Sequence, residues 1–374
     1  MAGAVRKTAG RPAAGRGSYS VPMSPDVRSD LDAIPSYVPG ATIPGAIKLA
    51  SNETTAGPLP SVAEAIAEAA AGANRYPDIT ARALVGRLSE FLGVPPQNVT
   101  AGCGSVALCQ QLVQAVCAPG DEVVYGWRSF EAYPIISRIA HAVPVPVPNR
   151  ADGTLDLDAI AGAVTDRTRL IFVCTPNNPT GPAITRTDLS AFLDRIPERV
   201  TVALDEAYVE YVRGDDPVDG VAESMARTNV VALRTFSKAY GLAGLRVGYL
   251  VGPVDLVVPV AKMVVPFSVS SLAQAAGIAC LDAGQELRAR TDAVVAERTR
   301  VRDALIDLGH AVPDSQANFV WLPLGEAASD FDAHCREHLV VARCFAGDGV
   351  RVTVGDPGEN DRFLTAARGF VTGT

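Results

Sequence analysis

Along the middle of the chain, short apolar runs alternate with stretches whose apolar residues recur at helical spacing. Residues 121–126 (DEVVYG), 169–176 (RLIFVCTP), 200–208 (VTVALDEAY), 230–238 (VVALRTFSK) and 246–252 (RVGYLVG) are dense in Val, Ile, Leu and aromatics. Runs of this length and composition read as strands buried on both faces. Between or after them, 105–117 (SVALCQQLVQAVC), 185–196 (TRTDLSAFLDRI) and 271–283 (SLAQAAGIACLDA) read as helices. Strand–helix alternation predicts an α/β domain with a mainly parallel sheet.

From about residue 285 the pattern changes. A long helical stretch, ELRARTDAVVAERTRVRDALIDLG, leads into NFVWLPL and GVRVTVG. This predicts a smaller α+β domain. The expected organisation is a tail over 1–24, an N-terminal segment over 25–55 that completes the small domain, a large domain over 56–284 and the small domain over 285–374. The tail is rich in Ala, Gly, Arg, Ser and Pro and has no acid before Asp26. It reads as disordered and is set aside from the fold.

Composition narrows the function. The net charge of −8 argues against a nucleic-acid or membrane-surface partner. The apolar runs all fall short of the roughly 18 residues a membrane span needs. Seven cysteines without a CxxC pair read as free, mostly buried thiols in a reducing compartment, hence a cytoplasmic protein. His334 and His338 in HCREH share a helix face, but no third ligand lies near, so the stretch reads as a solvated helix face and no metal is expected.

Polar groups collect where chemistry is expected. Open α/β sheets bind ligands at the carboxyl ends of their strands. Three predicted strands run into Asn177-Asn178, Asp205 and Lys238. Lysine is rare here; the other three are Lys7, Lys48 and Lys262. A lysine kept in a Gly/Ser/Thr-rich turn reads as one needed for its amine, which can form a Schiff base with a carbonyl. A buried carboxylate can pair with a protonated heterocycle. The glycine loop AGCGSVALCQQL (101–112) opens a helix and can hold a phosphate on backbone N–H groups, with Ser237 and Arg246 adding donors. An aldehyde, a pyridinium and a phosphate in one ligand describe pyridoxal 5′-phosphate.

TPNNPTG (175–181), DEAYVEY (205–211) and TFSKAYGLAGLRVGY (235–249) resemble the signatures of fold-type I aminotransferases, and more narrowly of the histidinol-phosphate aminotransferase subgroup. The resemblance runs from about residue 28 to the C-terminus. It implies a three-layer α/β/α large domain, a smaller α+β domain and a homodimer with shared active sites. It implies Lys238 as the Schiff-base lysine and proton carrier, Asp205 at the pyridine nitrogen, and Asn178 and Tyr208 at the phenolic oxygen. Phe130 would stack on the ring. Ser105, Val106, Thr235, Ser237 and Arg246 would hold the phosphate, joined by Tyr76 of the neighbouring subunit. Arg351 would take the substrate α-carboxylate, with Tyr37, Arg343 and Asn178 also at the substrate.

The substrate class follows from finer likenesses. Histidinol-phosphate aminotransferases commonly carry an acid pair after the glycine loop, where this chain has Val106-Ala107. GCGSVALCQQLVQ, YVPGATIPGAIKLASNET (37–54), GWRSFEAYP (126–134) and SQANFVWLPLG (315–325) are more similar to bacterial aromatic amino acid (phenylalanine) aminotransferases. The expected reaction is ping-pong transamination of Phe, with Tyr and Trp as further donors, and 2-oxoglutarate or another 2-oxo acid as acceptor. The alternative is the histidinol-phosphate aminotransferase of histidine biosynthesis.

Overall fold

The computed structural model describes residues 27–34 and 43–370. Taken by itself, the first stretch holds a short 3₁₀-helix, Ser29–Ala33. The second carries the strands β1 (Ile47–Lys48), β2 (Val99–Gly102), β3 (Glu122–Trp127), β4 (Val143–Pro148), β5 (Thr168–Cys174), β6 (Thr201–Asp205), β7 (Val230–Thr235), β8 (Gly248–Val251), β9 (Phe319–Leu322), β10 (Val340–Val341), β11 (Arg343–Phe345) and β12 (Gly349–Thr353).

Seven strands form the main sheet in the order β2-β8-β7-β6-β5-β3-β4. β8 runs antiparallel to both its neighbours, and every other pair is parallel. Successive side chains of a strand point to opposite faces. Here both faces are buried, so the runs are continuously apolar. Leu170 and Phe172 pack with Val123, Tyr125 and Leu108 on one side. Ile171 and Val173 pack with Val124, Leu204 and Phe192 on the other. Helices Ser105–Val116 and Arg186–Leu193 supply the covering layers, which makes the sheet the middle of three layers. Complete burial of a side chain such as Phe172 or Leu204 contributes roughly 1.5–3 kcal/mol.

Two strands end three residues short of the sequence expectation. The 200–208 run leaves the sheet at Asp205, and the 230–238 run leaves it at Thr235. Beyond each end the chain turns, with Tyr211 N–H donating to the Tyr208 carbonyl and Gly241 N–H to the Lys238 carbonyl. The apolar pattern runs on through these turns because their residues are still buried, which is why periodicity alone overruns the strand. β4, VPVPVP, has three prolines and no counterpart among the expected strands. It lies at the sheet edge, where the Asn149 N–H donates to the Trp127 carbonyl of β3, the Val143 N–H donates to the Asp121 carbonyl just before β3, and the prolines alternate with the donating positions. Proline is tolerated at such an edge because the missing N–H faces away from the ladder.

The smaller three-stranded antiparallel sheet has the order β11-β12-β9. Its core joins Val320, Leu322, Val350 and Val352 to Phe331 and Phe363 from helices Ala328–Glu337 and Pro357–Gly369. Leu49 also packs in this core, and β1 pairs in parallel with β10. The helix Gly284–Asp307 contributes Leu287 to a core against the main sheet and Val301 and Leu305 to the smaller one. From Leu49 the chain passes through Ala50–Glu53 along a cleft facing the strand ends.

Candidate active site

The cleft encloses about 320 Å³, within the usual range for small-molecule sites. Its floor is built from the carboxyl ends of β5, β6 and β7 and from the start of the helix Ser105–Val116.

That helix begins at Gly104, whose φ of +79° an L side chain rarely adopts. A Cβ on Gly104 would lie 2.5 Å from Arg246 Nη2, so glycine here lets the guanidinium close on the helix start. Gly248 plays the same part from β8: a Cβ there would lie 2.7 Å from the Ser105 nitrogen. Arg246, itself at φ +57°, donates to Ser237 Oγ (3.2 Å) and to the Ala243 carbonyl (3.0 Å). Ser237 N–H donates to Thr235 Oγ1 (3.1 Å). Ser105, Val106, Thr235, Ser237 and Arg246 all line the cleft. Unsatisfied helix N–H groups, hydroxyls and a guanidinium in one corner form a cradle for an anion.

Lys238 donates to the Ser51 carbonyl at 3.1 Å. Burial, with the positive charges of Arg351 and Arg246, lowers its amine to about 7, against the opposing pull of Glu53 and Asp205. A large fraction of this amine is therefore neutral near neutral pH, the form that attacks a carbonyl or takes a proton.

Asp205 is buried at the end of β6. Burial raises its carboxyl to about 6, opposed by a hydrogen bond that Tyr133 donates to Oδ2 at 2.7 Å. Tyr133 is held by stacking on Phe172, with centroids 4.3 Å apart. Asp205 Oδ1 is buried with no hydrogen-bond partner. A buried unpaired carboxylate oxygen is costly. A protonated ring nitrogen in the cleft would satisfy it, and this orphan oxygen fits the cofactor that the resemblance implies.

Tyr208 accepts a hydrogen bond from Asn52 Nδ2 (2.9 Å), and burial pushes its phenol well above the ordinary value. Phe130 lies edge-on to Tyr133, with centroids 5.5 Å apart, and presents its ring to the cleft. Asn178 Oδ1 accepts from Arg351 Nη1, and Arg351 Nη2 donates to the Ala50 carbonyl (2.6 Å). Arg343 pairs with Glu131 at 2.8 Å, and both line the cleft.

Tyr76 is 83% exposed, stacks on Phe267 at 4.6 Å and does not line this cleft. Tyr37 lies outside the described residues. His334 hydrogen-bonds the Ala366 carbonyl (3.0 Å) and is half-buried, while His338 is exposed. Among the described residues no cluster of His, Cys, Asp and Glu could hold a metal. All seven cysteines are free, and Cys109, Cys174, Cys280 and Cys335 are buried.

Sequence reasoning missed Tyr133, Asn52, Glu131, Phe345 and Gly248. Tyr133, Asn52 and Glu131 act through partners 70 or more positions away in sequence, Gly248 through a close backbone approach, and Phe345 through the strand pairing that brings Arg351 as well as Arg343 to its ring. Only Gly248 carried a signal, as a glycine interrupting an apolar strand.

A doubly wound sheet with a neutral-leaning amine, a buried carboxylate and an anion cradle at its strand ends defines an enzyme that handles amines with an anionic cofactor. Residues 44–366 match the family described as aminotransferase class I and II, and the chain belongs to that family. It is 59% identical over 345 residues to the aromatic amino acid aminotransferase of Rhodococcus jostii (strain RHA1), covering 92% of this chain and 96% of the relative. It is 57% identical over 348 residues to the aromatic amino acid aminotransferase of Nocardia farcinica (strain IFM 10152), covering 92% and 97%. Among solved structures, a histidinol-phosphate aminotransferase from Sinorhizobium meliloti in complex with pyridoxal-5′-phosphate aligns with a TM-score of 0.80 and 29% identity. That alignment covers 86% of this chain and 90% of the other.

Proposed function

We propose that the protein is a pyridoxal-phosphate-dependent aminotransferase that moves the amino group of aromatic L-amino acids, phenylalanine first, to a 2-oxo acid. The observation that carries the reading is the convergence of Lys238, the orphan oxygen of Asp205 and the Arg246 cradle on one cleft. The Rhodococcus and Nocardia relatives support the aromatic donor class. Phe130, Tyr208 and Phe345 give the cleft the aromatic surface such a side chain needs.

Pyridoxal phosphate, when bound, supplies a carbonyl carbon for the amino group and a ring that draws electrons from the substrate Cα. The helix start at Ser105 and Val106, with Thr235, Ser237 and Arg246, holds its phosphate. Asp205 keeps the ring nitrogen protonated, Asn178 and Tyr208 hydrogen-bond the phenolic oxygen, and Phe130 covers one face. Lys238 would supply the amine that the carbonyl carbon takes up. Its Nζ, neutral in part near pH 7, would take the proton from the substrate Cα and deliver it to the former carbonyl carbon. Arg351 receives the α-carboxylate through a two-pronged pair and orients the Cα–H bond for this transfer. The active-site assignments extend to a homodimer in which the exposed Tyr76 reaches the neighbour's phosphate. The free buried thiols fit a cytoplasmic location. No helix of the described residues is long and apolar enough to cross a membrane.

The test is phenylpyruvate formation from L-phenylalanine and 2-oxoglutarate by the purified enzyme. Lys238→Ala should reduce turnover by at least about a thousandfold, equivalent to about 4 kcal/mol. Lys238→Arg keeps the charge without the nucleophile and should fail equally. Full turnover by Lys238→Ala would exclude the mechanism.

A further inference from the structure

Asn52 lies on the segment that passes from Leu49 along the cleft. It is buried, and its φ of +54° falls in the left-handed region that asparagine tolerates better than most side chains. Three hydrogen bonds clamp it. Its N–H donates to Thr353 Oγ1 (2.9 Å), the Thr353 hydroxyl donates to Asn52 Oδ1 (3.1 Å), and Asn318 Nδ2 donates to the Asn52 carbonyl (3.2 Å). Thr353 N–H also donates to the Leu49 carbonyl (2.8 Å), so the end of β12 holds this segment at two points.

The clamp decides which way the Asn52 amide faces. A hydroxyl has one proton to give. Thr353 gives its proton to Oδ1, which turns Nδ2 toward Tyr208, and Nδ2 donates to Tyr208 Oη at 2.9 Å. The same rule then applies to the phenol. With a lone pair engaged by Asn52, its single proton is left for another acceptor. Among the described residues none accepts it, and Tyr208 lines the cleft. The ring itself is fixed by burial and by an edge contact with Phe319, with centroids 5.2 Å apart. Lys238 Nζ lies 5.9 Å from that ring.

We propose that Asn52 is a positioning residue for the cofactor: by donating to the Tyr208 hydroxyl it turns the phenolic proton into the cleft, toward the phenolic oxygen of bound pyridoxal phosphate. This deepens the placing of Tyr208 at that oxygen and rests on it. The consequence reaches Lys238. In the holoenzyme the nitrogen that joins Lys238 to the cofactor carries a proton that the phenolic oxygen helps to hold. A donor at that oxygen draws charge from it and loosens its hold on the proton. Asn52 does this through a neutral amide, so it orients the donor without adding charge to the site.

The experiment is a pH titration of the holoenzyme without substrate, read by the yellow absorbance that disappears as the Lys238 nitrogen gives up its proton. Wild type, Tyr208→Phe, Asn52→Gly and the double variant are compared. Glycine accepts the positive φ and brings no charge. Tyr208→Phe tests the parent reading: the midpoint should rise by about one unit or more. No shift would remove Tyr208 from the phenolic oxygen, and the inference with it. Asn52→Gly should raise the midpoint by about half a unit or more when Tyr208 is present. In the Tyr208→Phe background the same change should move it by less than about 0.2 unit. An unchanged midpoint in Asn52→Gly, beside a raised one in Tyr208→Phe, would overturn the inference alone. So would equal shifts in both backgrounds, the result a merely structural role gives. Asn52→Asp keeps the shape of the side chain should the glycine variant not fold. Its carboxylate accepts the phenolic proton and turns it from the cleft, so its midpoint should rise further with Tyr208 than with Tyr208→Phe, by about half a unit or more. Equal rises, the mark of added charge alone, would overturn the proposal. Arg351, Cys174 and Asp205 also face the Tyr208 phenol, and Arg351, Glu53, Arg246 and Asp205 face Lys238; all of them stay in place in every variant.

Discussion

Replacing Lys238 by Met should abolish transamination and yet stabilise the cofactor-free protein, most of all at low pH. The amine titrates at about 7 in the folded chain against 10.5 for the free side chain, because it is buried near Arg351 and Arg246. Since the folded value is the lower, the unfolded chain binds more protons between about pH 7 and 10.5, and stability rises with pH across that window. At pH 6 both states are protonated, and the gap of about 3.5 between the two values costs the wild type about 5 kcal/mol. At pH 9 the folded amine is neutral and the remaining gap of about 1.5 costs about 2 kcal/mol. Met fills similar volume without charge but loses the hydrogen bond to the Ser51 carbonyl, worth about 1 kcal/mol. The variant should therefore be more stable by about 4 kcal/mol at pH 6 and by about 1 kcal/mol at pH 9. Urea unfolding of both cofactor-free proteins at the two pH values measures this. A variant less stable at pH 6, or a difference that does not change with pH, would refute the assignment of Lys238 as a buried amine held near neutrality.

Three further variants have expected outcomes. Tyr133→Phe removes the hydroxyl that holds Asp205 Oδ2; a hydrogen bond to a charged group is worth about 1.5–3 kcal/mol, so cofactor affinity measured by fluorescence should fall about 10- to 100-fold. The same change should move the Asp205 titration above about 6, because the lost bond was lowering it. Arg351→Lys keeps a positive charge but loses the fork, and should raise KM for phenylalanine about tenfold or more in steady-state assays. Gly248→Ala would bring a Cβ to 2.7 Å from the Ser105 nitrogen and 2.8 Å from the Arg234 carbonyl, both backbone atoms; overpacking of this kind costs about 1–3 kcal/mol in thermal unfolding and should weaken phosphate binding as well.

The parallel sheet was legible because β3, β5, β6 and β7 are buried on both faces and so carry unbroken apolar runs. β4 was not, because its three prolines argue against a strand unless its edge position is known. The chemical residues were legible where they sit at strand ends in dense motifs: Asn178, Asp205 and Lys238 each follow an apolar run. Their supports were not. Asn52 reaches Tyr208, Tyr133 reaches Asp205 and Glu131 reaches Arg343 across separations of 156, 72 and 212 positions. A side chain that works through so distant a partner leaves no trace in local pattern. Arg343 shows the consequence: the resemblance implied a place at the substrate, and the structure sets a carboxylate of the same chain, Glu131, 2.8 Å from it.

The most direct measurement is rapid mixing of the holoenzyme with L-phenylalanine deuterated at Cα, without acceptor, beside the unlabelled donor and beside Lys238→Ala. Bleaching of the cofactor's yellow absorbance should be fast with unlabelled phenylalanine, slower by a primary isotope effect with the deuterated donor, and lost in the variant. Bleaching that persists in Lys238→Ala, or no bleaching of the wild type by phenylalanine, would contradict an aromatic aminotransferase with Lys238 as its proton carrier.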